Sequence, residues 1–248
     1  MMYRNLANHM DTDQPLHGLR ALGLDGKQNP HTRVEDMATH YIQEIKTVQP
    51  TGTYFLGGAG IGGRIALEMA QQLLAQDEEV GLVVLIESAP PRTSPRSSES
   101  SGSRKSLMHY TGRSIHHLKR GQLARILRDI TRAFLLKCFR RMDLMFRPEA
   151  YKNIRRIGDM LDKVTSSYIA QAYSGKVVYL LAETPVKSQR NLQDRVGAWR
   201  DLALRGLDVQ VVPGTHRTIW KEPHVQVVAK QLSAWLADAQ KETPLLPS

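Results

Sequence analysis

Five glycines in seven residues, Gly57-Gly58-Ala59-Gly60-Ile61-Gly62-Gly63, limit this chain more than any other feature. They follow a short apolar run, Tyr54-Phe55-Leu56, and precede a helical repeat through Ile65, Ala66, Met69, Leu73 and Leu74. That order reads as a strand entering a tight turn that opens directly into a helix. Glycine suits such a turn because it adopts positive φ without a Cβ penalty and lets helix and strand approach closely. Gly57, Gly58, Gly62 and Gly63 are therefore read as structural.

The rest of the chain builds a fold around this turn. From Thr32, apolar residues Val34, Met37, Ala38, Tyr41, Ile42 and Ile45 recur at helical steps, Thr32 and Glu35 form a capping-box pair, and Pro50 ends the helix. Val80 to Ile86 is nearly continuous apolar sequence, as expected of a strand buried on both faces of a parallel sheet. Val177 to Leu181 and Leu207 to Val212 repeat that signature, with a helix expected from Leu192 to Leu204 between them and a closing helix from about Val225 to Ala237. Alternating strands and helices predict an α/β fold with a mostly parallel sheet flanked by helices.

Composition excludes several classes. The chain has 248 residues, 41% of them hydrophobic, enough for one large core, and 1–248 is read as a single domain. No run approaches the roughly 18 apolar residues of a membrane span, and Met1 to Gln14 lacks the apolar centre of a signal peptide, so a cytoplasmic location is expected. Cys138 is the only cysteine, which excludes an intramolecular disulfide and a multi-cysteine zinc site. His116-His117 are adjacent, point in different directions on a helix and lack a partner cluster, so no metal site is expected.

The net charge of +10 has one source: 14 Lys and Arg against three acids lie between Arg92 and Arg147, a local +11 that leaves the remainder at −1. This argues against a general nucleic-acid binder and for local contact with an acidic partner. The segment belongs to an insertion, 88–175, between two strands. It starts with a Ser/Pro-rich stretch, 92–106, read as a mobile loop. Leu123, Leu127, Ile130, Phe134 and Met145 then mark a long amphipathic helix whose other face carries most of the arginines. Such an insertion is either a lid over a substrate or a solvated helix pair. Residues 240–248 read as a tail.

A glycine turn between strand and helix has three chemical uses. A phosphate loop needs Lys and Ser/Thr after its last glycine, but Arg64 follows Gly63. A dinucleotide turn can be laid on Gly58, Gly60 and Gly63, yet the nearest acid, Glu87, does not close a clear second Rossmann strand. The nucleophile elbow Gly-x-Ser-x-Gly fits Gly58-Ala59-Gly60-Ile61-Gly62, with glycine at the serine position.

Beyond the turn, extended stretches carry a family resemblance. They are Gln14-Pro15-Leu16-His17-Gly18-Leu19, Gly23-Leu24-Asp25-Gly26, Val34-Glu35-Asp36-Met37-Ala38, Gln49-Pro50-Thr51-Gly52-Thr53-Tyr54, Ile65-Ala66-Leu67-Glu68-Met69-Ala70, Leu85-Ile86-Glu87-Ser88 and Pro213-Gly214-Thr215-His216. Together they resemble the thioesterase domains of nonribosomal peptide and polyketide synthetases, which are α/β-hydrolases. The resemblance covers residues 3 to about 90 and 176 to 237 and leaves the insertion, where that family carries its variable lid.

The resemblance implies a catalytic serine at Gly60, the acid at Glu87 and the histidine at His216, in the chain order of that fold. It implies an oxyanion donor at the Ile61 backbone N–H. It also implies that the family's first strand, whose following loop supplies a second donor, is missing before Met1; loss of one donor typically costs on the order of a hundred- to a thousandfold in rate. The implied substrate is an acyl or peptidyl chain held as a thioester on the phosphopantetheine arm of a carrier protein or synthetase module, with no cofactor bound by the chain itself. Carriers of this family are typically acidic, so Arg125, Arg128 and Arg132 are the expected carrier contacts.

Glycine cannot form an acyl-enzyme, so hydrolysis is expected to be lost or severely weakened. Three readings stay open: such a crippled thioesterase, a non-catalytic scaffold for acyl chains or carriers, and a residual hydrolase in which His216, oriented by Glu87, activates water. Ser88 is a poorly placed substitute nucleophile. A decaying gene or a mispredicted start is the mundane alternative.

Overall fold

The computed structural model describes residues 3–11, 13–91, 148–183 and 189–242. The Ser/Pro-rich loop, the amphipathic helix from Leu123 to Met145, His116-His117 and Arg125, Arg128 and Arg132 lie outside the described residues, as do residues 243–248.

Four strands, β1 (Tyr54–Ala59), β2 (Val80–Ile86), β3 (Val177–Ala182) and β4 (Leu207–Val212), form one sheet in the order β1-β2-β3-β4. All three pairings are parallel, with Ala59 opposite Ile86, Ile86 opposite Leu180 and Ala182 opposite Val212. The helices are α1 (Tyr3–Ala7), α2 (Val34–Val48), α3 (Ile61–Leu74), α4 (Pro148–Ser167), α5 (Gln189–Arg200) and α6 (His224–Glu242).

The apolar runs are continuous because the two central strands are covered on both faces. Val83, Leu85, Val177, Tyr179 and Leu181 pack in one core with residues of α2 and α3. Leu82, Val84, Ile86, Val178, Leu180 and Ala182 pack in a second core with Leu6 of α1 and Val225, Val228 and Leu232 of α6. Side chains alternate between faces along a strand, so every position of β2 and β3 must be apolar. Each large side chain so buried contributes roughly 1.5–3 kcal/mol by area transfer.

Several expectations are corrected. β4 is an edge strand and alternates in exposure, with Asp208 and Gln210 in solvent, so it is not buried on both faces. β1 runs three residues past Leu56, carried by pairing with β2. The Thr32–Glu35 capping box does not form: the helix starts at Val34 with Arg33 as N-cap and no side-chain cap, and the Glu35 carboxylate accepts from Arg33 Nε at 3.4 Å. Thr32 stands one residue too early to cap. α5 stops at Arg200, and Ala203 instead forms an isolated parallel bridge with Tyr173. α6 continues to Glu242, so 240–242 are helical and not tail. No helix among the described residues is long and apolar enough to cross a membrane.

Candidate functional site

The parallel sheet presents its strand ends together, and the crevice at the carboxyl ends is where open α/β sheets place their ligands. Gly60 follows β1, Glu87 follows β2 and His216 follows β4 by four residues.

The turn after β1 has the backbone of an elbow. Gly60 sits at φ 56°, ψ −118°, a conformation that L side chains rarely adopt, and its N–H donates to the Ile86 carbonyl at 2.9 Å. A Cβ at Gly58 would lie 2.1 Å from the Gly62 carbonyl group, and one at Gly63 would lie 2.5 Å from Ser88 Oγ. These two glycines are dictated by close packing of strand against helix. A Cβ at Gly60 meets nothing within 4 Å among the described residues. Space for a side chain exists where the chain supplies none.

Glu87 is in position beside it. It is one of two non-glycine residues at positive φ among those described, at 49°, and its N–H donates to the Leu180 carbonyl at 2.9 Å. Its side chain is 7% exposed. Glu87 Oε1 accepts from the Ala182 N–H at 2.7 Å, and Oε2 lies 3.3 Å from His216 Nδ1. A carboxylate on Nδ1 favours the tautomer that leaves Nε2 as the proton acceptor. The ring is 63% exposed, open to a ligand or water. Gly214, at φ 114°, turns the chain after β4, and the buried Ile219 and Trp220 anchor the far side of the loop.

Ser88 ties the two parts together. It is fully buried, and its hydroxyl donates to the Gly60 carbonyl at 2.6 Å. Its own carbonyl accepts from the Tyr179 hydroxyl at 2.6 Å and from Trp199 Nε1 at 3.0 Å, while Arg195 Nη2 donates to the Tyr179 hydroxyl at 2.7 Å. Burial pushes the Tyr179 phenol up to about 12, so it stays a donor. Ser88 is thus a brace between acid turn and elbow. Ser88 is poorly placed as a substitute nucleophile, being buried with its proton given to the Gly60 carbonyl.

Arg64 shows why the phosphate-loop reading fails. Its guanidinium donates to three carbonyls, Ala89 at 2.9 Å, Pro90 at 3.1 Å and Thr165 at 2.6 Å, which fastens the start of the insertion to the last turn of α4. Burial pulls its pKa below the ordinary arginine value. Sequence reasoning did not find these roles for Ser88, Arg64, Tyr179 and Trp199; the bonds span 16 to 111 residues and leave no local pattern. Ile61 opens α3 immediately after Gly60, and the first helical N–H has no partner inside its helix. Among the described residues, no group of three His, Cys, Asp or Glu is placed to hold a metal ion.

Comparisons with known proteins bear on the family and the fold. The thioesterase domain family matches residues 1–236. A dimodular nonribosomal peptide synthase of Bacillus subtilis (strain 168) is 41% identical over 88 residues, 36% of this chain and 4% of that protein. The inactive atromentin synthetase invA6 of Paxillus involutus is 26% identical over 233 residues, 91% of this chain and 24% of that protein. The chain therefore spans a quarter or less of the length of these relatives. Among solved structures, the NocB thioesterase domain in covalent complex with a fluorophosphonate nocardicin G analog aligns with TM-score 0.63 and 26% identity, covering 95% of this chain and 88% of that one. The prodiginine-pathway thioesterase RedJ, TM-score 0.63 at 15% identity over 94% of this chain and 80% of that one, shares the fold.

Proposed function

This chain belongs to the thioesterase domain family, with the α/β-hydrolase fold, and from that premise we propose that it receives acyl or peptidyl thioesters and forms no acyl-enzyme with them. The substrate class proposed is a chain on the phosphopantetheine arm of a carrier protein, in nonribosomal peptide or polyketide assembly; similarity to synthetases supports the setting. The observation that carries the reading is the combination at the strand ends: an elbow backbone with room for a side chain at Gly60, beside a histidine hydrogen-bonded to a buried carboxylate. Glycine offers no oxygen to acylate, so the covalent route available to a serine is closed at this position.

The Glu87–His216 hydrogen bond favours one residual reaction. His216 Nε2 takes a proton from water, the water oxygen adds to the thioester carbonyl, and the C–S bond breaks as the thiol leaves with that proton. The products are a carboxylic acid and a free thiol. Without a covalent step this route is slow, and the protein then works mainly as a holder of acyl chains, a pseudoenzyme. The excess of basic residues between Arg92 and Arg147 supports an acidic carrier as partner, with Arg125, Arg128 and Arg132 as proposed contacts.

Turnover of an acyl N-acetylcysteamine thioester tests this. The wild type should hydrolyse it near the uncatalysed rate, Gly60→Ser should gain on the order of a hundredfold or more, and His216→Ala should abolish the gain. Fast wild-type turnover indifferent to His216→Ala contradicts the proposal.

A further inference from the structure

We infer that the Tyr3 hydroxyl is a second donor to the substrate carbonyl oxygen, flanking Gly60 together with the Ile61 N–H. The inference rests on the proposed thioester-binding role, and it names which atoms hold the reacting carbonyl.

Tyr3 reaches the elbow from the edge of the sheet that β2 does not occupy. N–H groups of successive strand residues point to opposite edges, and the Gly60 N–H faces Ile86 of β2. The Ala59 N–H consequently faces the other edge, where it donates to Tyr3 Oη at 3.3 Å. A phenol that accepts one hydrogen bond keeps its own O–H to give. Among the described residues that proton has no protein acceptor. Burial raises the Tyr3 pKa, against a smaller lowering by the Ala59 hydrogen bond, so the hydroxyl stays protonated at neutral pH.

The phenol is held in place and still accessible. Its ring packs edge-to-face on Trp220, with centroids 5.4 Å apart and planes at 89°. Asn5 Nδ2 donates to the Trp220 carbonyl at 3.0 Å, and the buried Leu6 roots α1 in the core beneath α6. Trp220 lies four residues after His216, so the same helix that carries Tyr3 is braced against the histidine loop. Tyr3 is 39% exposed, and no described residue comes within 4 Å of the position of a Gly60 Cβ. A carbonyl entering there meets Ile61 on one side of Gly60 and the Tyr3 hydroxyl, seated on Ala59, on the other.

Infrared difference spectroscopy of the wild-type protein with a carbonyl-13C acyl N-acetylcysteamine thioester tests this directly, since donors to a carbonyl oxygen lower its stretching frequency. The bound thioester should absorb below its frequency in water, and Tyr3→Phe, which keeps the ring on Trp220, should return most of that shift. Replacing Tyr3 with a fluorinated, more acidic tyrosine should deepen it. In the Gly60→Ser background, Tyr3→Phe should lower kcat on the order of a hundredfold with little change in KM. A bound thioester whose carbonyl frequency ignores both changes at Tyr3 overturns the inference and leaves the binding role standing; a thioester that does not bind overturns both. A fall in thermal stability with an unchanged carbonyl band would mark Tyr3 as a packing residue only and overturns it too.

Discussion

The elbow and the acid–histidine pair sit side by side at the strand ends and are built on different terms. On the elbow, backbone is retained and chemistry is missing: Gly60 keeps φ 56° and an open side-chain position, with no side-chain atom to use them. On the other side, the proposed acid–histidine pair is heavily supported, with Glu87 held by the Ala182 N–H and its turn held through Ser88 by Tyr179 and Trp199. The lesson is that the geometry of an elbow does not depend on its nucleophile. It is set by the close approach of Gly58 to Gly62 and by the Ser88 hydroxyl on the Gly60 carbonyl, neither of which involves a side chain at residue 60.

That comparison can be broken at its backbone. Gly58→Ala should be the most damaging change, because a Cβ 2.1 Å from the Gly62 carbonyl group forces strand and helix apart; a loss of several kcal/mol, about 3 or more, is expected in urea unfolding. Gly60→Ala sharpens it. The side chain meets nothing within 4 Å among the described residues, and the positive φ opposes it, so about 1–2 kcal/mol should be lost. Equal losses at the two positions would show that crowding does not set the turn.

The smallest effect at neutral pH concerns the acid side. Burial pushes Tyr173 and Tyr179 up to about 12 from an ordinary value of about 10. A phenol raised in the folded state contributes stability that is complete below the unfolded value and lost as pH rises through the folded one. Thermal stability should be flat near neutrality and fall between about pH 10 and 12, with tyrosinate absorbance rising in step, and Tyr179→Phe should make that fall shallower.

Much of this architecture was legible in the sequence, for identifiable reasons. β2 and β3 stood out because burial on both faces requires unbroken apolar runs, and the elbow spacing stood out because glycines are needed where helix meets strand. Gly60, Glu87 and His216 came from three separate stretches, and the structure brings them together. The end of β1 was hidden because Gly57, Gly58 and Ala59 carry no strand preference and pair only through β2. Thr32 and Glu35 have capping-box spacing, but the helix starts one residue later than that spacing requires. The bracing roles of Ser88 and Arg64 were invisible because each acts through partners distant in the chain.

The most direct test of the central claim, an intact elbow lacking only its nucleophile, is covalent labelling by a fluorophosphonate followed by intact mass measurement. The account predicts that the wild type takes up no phosphonyl group, that Gly60→Ser takes up one at residue 60 as fluoride leaves, and that adding His216→Ala suppresses it. Labelling of the wild type at any residue of this site, or a folded Gly60→Ser protein that stays unlabelled, would contradict it.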